Sequence, residues 1–111
     1  MLYHLAGRLS DDLPSGSMCA SIITEIEALS YPGLSLAEDL RIRQFFEELN
    51  VIPITSLVRD RTIEIRRRNK LRIPDAIIVA TALTLEASLL TNDSDLPTIE
   101  GLSVVRPSIK P

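Results

Sequence analysis

Apolar and polar positions alternate along the chain in short blocks whose spacing changes from strand-like to helix-like and back. Met18, Cys19, Ala20, Ser21, Ile22 and Ile23 form a mostly apolar run, and its β-branched end predicts a buried strand. Thr24 then opens a helix in this reading, because Thr24 and Glu27 have the spacing of a capping box. Tyr31, Pro32 and Gly33 stop that helix, and Ser35 with Glu38 repeats the capping spacing. Leu36, Leu40, Ile42, Phe45, Phe46 and Leu49 recur at helical intervals and predict one apolar stripe, with Arg41, Arg43, Glu47 and Glu48 on the wet side. Asn50 to Ile54 reads as a second strand, and Pro53 assigns it to a sheet edge or a strand end.

Thr55 or Ser56 can cap the next helix, whose apolar side is Leu57, Val58, Ile63 and Ile65. Pro74 suits the first turn of another helix. From Ala76 to Leu85 that helix is apolar nearly all round, which predicts a central position. Ser88 to Thr91 and Leu102 to Val105 complete the strands, while Tyr3 to Leu9 reads as a short helix or its remnant before a loop rich in turn residues. Strands alternating with helices imply an α/β fold whose mostly parallel sheet is covered on both faces. Sites in such sheets form beyond the carboxyl ends of the strands.

Composition narrows the picture. The 111 residues suit one domain, and a 4% aromatic content without Trp requires a core of Leu, Ile, Val and Ala. Cys19, the single cysteine, cannot form an internal disulfide and reads as core filling in a reducing, cytoplasmic setting. No apolar stretch reaches the roughly 20 residues of a membrane span, and the start lacks the pattern of a secretion signal. Charge is uneven: the segment from Arg59 to Arg72 holds seven basic residues against Asp60 and Glu64, a formal +5, leaving −8 in a chain of net −3. Such a patch either faces water or meets RNA phosphates or an acidic partner.

Three carboxylates stand where strands and helices meet. Glu27 follows a strand by a capping turn, Asp75 opens the apolar helix, and Asp93 lies just beyond a strand end. Oxygen ligands of this kind suit Mg²⁺ or Mn²⁺, which polarise a phosphodiester and activate water. Asp95 is a fourth candidate ligand, and Asn92 or Ser94 could orient water. Each also has a plainer role: a capping glutamate, an acid at a helix N terminus, a turn former. His4 is alone, and no phosphate-cradling Gly loop or Cys and His ligand spacing is present.

The stretches SIITEIEAL (Ser21 to Leu29), IPIT (Ile52 to Thr55), LRIPDAIIVATAL (Leu71 to Leu83) and LLTNDSDL (Leu89 to Leu96) resemble the PIN domain, in particular the VapC toxins of toxin–antitoxin pairs. With Gly101 to Val105 closing the sheet, the resemblance extends over nearly the whole chain as a single PIN-like domain of three α/β/α layers. It implies a Mg²⁺- or Mn²⁺-dependent endoribonuclease, usually a homodimer, silenced by the tail of a cognate antitoxin. The family's acidic positions carry over to Glu27, Asp75 and Asp93, with Asp95 auxiliary, and RNA or the partner would meet Arg66, Arg67, Arg68, Lys70 and Arg72.

The chain departs from the family pattern at its start. PIN domains typically begin with a strand ending in Asp, whereas no acidic residue here precedes Asp11. The reading is therefore of a fold whose N-terminal central strand and one carboxylate are absent, with exposed ladder edges and a weakened metal site as the consequences. A recorded start placed too late would account for it. A non-catalytic or decayed module that still holds an antitoxin or RNA is the alternative, and a different small parallel fold with carboxylates acting only as caps is the third reading.

Overall fold

The computed structural model describes residues 2–3, 18–91 and 96–106. In chain order these form β1 (Leu2–Tyr3), β2 (Cys19–Ser21), α1 (Ile22–Leu29), α2 (Leu36–Glu47), β3 (Asn50–Ile52), α3 (Ser56–Arg68), α4 (Ile73–Leu85), β4 (Leu89–Leu90) and β5 (Val104–Val105). The strands make one sheet in the order β3-β2-β1-β4-β5, and every pairing is parallel. A parallel neighbour needs a crossover, and the helices supply it.

The centre of the sheet corrects the reading of the chain's start. Leu2 pairs with Cys19 on one side and Leu89 on the other, and Tyr3 likewise joins Ala20 and Leu90. The central strand is therefore present, and the expected open edges of β2 and β4 are paired. Helical spacing misled at Tyr3 because two residues are too few to display a period. The rest of the segment read as a helix and loop, residues 4–17, lies outside the described residues.

Neighbouring residues of β2 belong to different cores, as strand pleating requires. Cys19 packs against a cluster built from Val58 and Ile65 of α3, Ala76 to Ala80 and Ala82 of α4, Leu89 and Ile99. Ala20 joins Ala28 of α1 and Phe46 of α2, with Val51 of β3 packed alongside. Helices thus cover both faces of the sheet, giving the expected three layers. α4 lies against α3, and its residues from Ala76 to Ala82 are all buried, so the central helix is as expected. Thr81 and Thr84 keep their hydroxyls satisfied by donating to the carbonyls of Ile77 and Ala80 at 2.7 and 2.8 Å.

Two apolar stripes are narrower than their spacing suggested. On α2 only Phe46 is fully buried, whereas Leu36 and Leu40 near its start are exposed. On α3 the buried face is Val58, Thr62 and Ile65, and Leu57 and Ile63 face outward. Thr62 is admitted because its hydroxyl donates to Val58 O at 2.7 Å. Pro53 ends β3, which is an edge strand, and Thr55 rather than Ser56 caps α3 through the Val58 amide.

Candidate functional site

The start of α1 differs from the expected one, and the difference changes the meaning of Glu27. Ser21, at the end of β2, is the N-cap: its hydroxyl accepts from the Ile23 amide at 3.2 Å, and the helix begins at Ile22. Ser, like Thr, suits this position, and the one at the strand end prevails because its backbone is extended (φ −67°, ψ 146°). Thr24 therefore lies inside the helix and forms no capping box with Glu27. By contrast the Ser35–Glu38 box is complete, with reciprocal bonds of 3.1 Å. The Ser35 amide bonded to Glu38 holds that carboxyl below its usual range.

Glu27 is exposed, and its carboxylate forms no hydrogen bond or ion pair among the described residues. It follows Ile23 by four residues, hence on the same side of the helix, and Ile23 packs against the cluster that contains α4. Asp75 stands in the first turn of α4, half-buried, also with no bonded partner among the described residues. Three and four residues later come the buried Ile78 and Val79, so Asp75 continues the inward face of α4. Because α4 leads back to the start of β4, its first turn lies over the carboxyl ends of the strands. Two unpaired carboxylates thus belong to elements that meet at the edge where parallel sheets carry their sites.

Asp93 and Asp95, like Asn92 and Ser94, lie outside the described residues. They follow β4 after Thr91, which is buried and whose amide donates to Val105 O at 3.1 Å. Among the described residues no three acidic, His or Cys side chains gather as a metal cluster. The sequence reading missed one group beside Glu27. Thr24 is 1% exposed, and its Oγ1 has no hydrogen-bond partner among the described residues. A buried hydroxyl left unbonded costs about 1–3 kcal/mol. Its misassignment as a cap concealed it, since a capping hydroxyl would have been satisfied.

The basic residues reach the same edge. Residues 69–72 join α3 to α4, so Lys70 and Arg72 come directly before the turn that carries Asp75. Arg66, Arg67, Arg68, Lys70 and Arg72 are exposed. Arg68 approaches Glu64 at 3.5 Å, and Arg66 Nε donates to Leu71 O at 3.1 Å. Arg67, Lys70 and Arg72 have no ion-pair partner among the described residues. The three arginines in the last turn of α3 also face the negative end of that helix dipole, a structural reason for their presence.

The PIN domain family model matches residues 4–102. Among solved structures the chain is similar to a toxin–antitoxin complex from Klebsiella pneumoniae, with 31% identity, a TM-score of 0.64, and coverage of 80% of this chain and 72% of that one. It is also similar in fold to VapBC2 from Rickettsia felis bound to a DNA fragment from their promoter, with 18% identity, a TM-score of 0.73 and coverage of 83% and 76%. A third is VapBC-5, a toxin–antitoxin family member from Mycobacterium tuberculosis, with 16% identity, a TM-score of 0.76 and coverage of 96% and 97%. No curated protein matches the chain. The family match overturns the reading of an unrelated small parallel fold.

Proposed function

Because the chain belongs to the PIN domain family, we propose that it is a divalent-metal-dependent endoribonuclease, the toxin of a pair whose second member is an antitoxin protein. The observation that carries the reading is the pair of unpartnered carboxylates, Glu27 and Asp75, on elements that converge at the carboxyl edge of the sheet. Asp93, with Asp95 auxiliary, would complete the set from the segment after β4.

The residues present fit a hard cation. Every candidate donor is oxygen, the ligand type that Mg²⁺ and Mn²⁺ favour. The Thr24 hydroxyl, one turn before Glu27, adds a buried group with no partner among the described residues. A bound ion would supply positive charge to a phosphodiester and make hydroxide available at neutral pH. The chain's own residues do the rest. Glu27 Oε and Asp75 Oδ atoms would hold the ion, and Arg66, Arg67, Arg68, Lys70 and Arg72 would hold RNA phosphates at the adjoining end of α3. Their guanidinium and ammonium groups bind backbone charge without reading sequence.

Manganese binding tests the site apart from turnover. A ligand that binds only the folded state stabilises it by about 2.7 kcal/mol at one hundred times its dissociation constant. Mn²⁺ should raise the melting temperature, and Glu27→Gln and Asp75→Asn should each remove most of that rise. Equal shifts in the wild-type chain and both variants would defeat the assignment of these ligands.

One observation favours a second reading, a non-catalytic module that holds an antitoxin or RNA. β1 ends at Tyr3 and is followed in sequence by His4, so the central strand leads into no carboxylate. That reading predicts binding of RNA through the basic segment without cleavage.

A further inference from the structure

Residues 69–72 link α3 to α4, and neither helix end is closed there in the common way. α3 runs into Asn69, whose backbone is extended (φ −138°, ψ 148°), so the left-handed residue that often terminates a helix is replaced. Arg72, the N-cap of α4, is also extended, and its side chain caps no amide among the described residues. The path of the chain from α3 to the turn that carries Asp75 is therefore set by the link itself.

Asn69 anchors that link at a single buried point. Its backbone N–H and its side-chain Nδ2 both donate to Ile65 O, at 2.9 and 3.1 Å. Ile65 is 7% exposed and belongs to the core cluster that α3 and α4 share. Asn69 O accepts the Leu71 amide at 3.1 Å, and Leu71 packs against the same cluster. Arg66 Nε also reaches Leu71 O, but that bond is exposed and water competes for it, whereas the Asn69 side chain is half-buried. The link ends at Arg72, whose carbonyl accepts the Ala76 amide at 2.9 Å, the bond that closes the first turn of α4. A helix end in need of a partner for Ile65 O is already served by the Asn69 backbone N–H. The side-chain amide adds a second bond to the same carbonyl, and two bonds to one point fix the direction in which the chain departs.

We propose that Asn69 is a positioning residue for Asp75: its side-chain amide ties the α3–α4 link to Ile65 O and so sets where the first turn of α4 holds the carboxylate. The inference rests on the reading of Asp75 as a metal ligand. Asn69 acts through the link and touches neither ion nor substrate. The rest of α4 is buried from Ala76 to Ala82 and cannot follow a displaced link without disturbing the core. A loosened link therefore frees the first turn alone, the part of α4 that carries Asp75. A ligand on a fraying turn must be ordered when the ion binds, and that ordering weakens binding.

The test measures Mn²⁺ binding to the full chain, read from the electron paramagnetic resonance of the free ion, in the wild type, Asn69→Ala, Asp75→Asn and Ser35→Ala. Ser35→Ala breaks the capping box of α2, outside the link, and stands for a loss of stability elsewhere in the fold. Asn69→Ala should bind Mn²⁺ about tenfold more weakly than the wild type, the scale for a group one step removed from the ligands. Ser35→Ala should bind it like the wild type despite a lower melting temperature. Hydrogen exchange, measured without metal, should locate the change: the Ala76 amide should exchange faster in Asn69→Ala, with the amides of Val79 and Ala80 unaltered. Asn69→Asp keeps the shape but cannot donate when ionised; it should match Asn69→Ala and supplies the comparison where that variant does not fold. Wild-type Mn²⁺ affinity in Asn69→Ala, with Asp75→Asn weakened, would overturn the proposal and leave the ligand assignment standing. Equal losses in Asn69→Ala and Ser35→Ala would overturn it by reducing the effect to general stability, and so would an Ala76 amide that exchanges at the wild-type rate. A wild-type chain that binds no Mn²⁺ would defeat the ligand reading itself, and the proposal with it.

Discussion

The Ser21 hydroxyl accepts the Ile23 amide at 3.2 Å, and this one bond decides where α1 begins and what its next residues mean. With the cap at Ser21, Thr24 enters the helix interior with its hydroxyl buried and unbonded among the described residues, and Glu27 is freed from any capping duty. A backbone role for Glu27 is thereby removed, and a carboxylate available to a cation remains.

Thr24→Val keeps the side-chain shape and removes the orphaned hydroxyl. Without metal the variant should unfold later than the wild type, by about 1 kcal/mol in urea titration. The Mn²⁺-dependent rise in melting temperature should shrink at the same time. A variant less stable than the wild type would show that the hydroxyl is bonded in solution.

Glu38 should contribute to acid sensitivity. Its folded pKa lies below the ordinary 4.5, so its capping bonds contribute stability above that value and lose it as pH falls through the folded pKa. The melting temperature of Glu38→Gln should therefore lie below the wild type at pH 6 to 7 and converge with it on the acid side. The difference between the two melting curves, scanned from about pH 7 to pH 3, measures this. A constant difference across that range would contradict it.

Glu86 terminates α4 in the left-handed region at φ 53° and ψ 38°, and its amide returns to Ala82 O and Leu83 O. A side chain there costs about 1–2 kcal/mol that glycine avoids. Glu86→Gly should raise stability by roughly 0.5–1 kcal/mol after the greater flexibility of the unfolded chain is counted. Chemical denaturation checks this, and a loss of stability would contradict it.

Much of the fold was legible where local chemistry and tertiary packing agree. The stretch from Ala76 to Ala82, apolar but for Thr81, called for burial, and Pro53 called for a sheet edge or a strand end. What was not legible depended on competition between similar signals. Ser21 and Thr24 are both good caps, and only the extended backbone at the end of β2 chooses between them. Leu36, Leu40, Leu57 and Ile63 fit helical spacing yet remain exposed, because periodicity reports one helix and not the width of the neighbour that covers it. Leu2 and Tyr3 are a strand by virtue of partners on both sides, information absent from two residues of sequence. For the site, residue types and order marked Glu27 and Asp75, but the Thr24 hydroxyl, unbonded among the described residues, follows from how α1 packs in three dimensions.

Cleavage of a labelled RNA by the purified chain, with Mg²⁺ or Mn²⁺ and after chelation by EDTA, tests the central claim most directly. The account predicts metal-dependent internal cleavage, abolished by EDTA and reduced by about a hundredfold in kcat by Asp75→Asn, the upper end of the scale for a lost metal-site group. RNA bound but left intact by the wild-type chain in either metal, or cut equally well by Asp75→Asn, would contradict it.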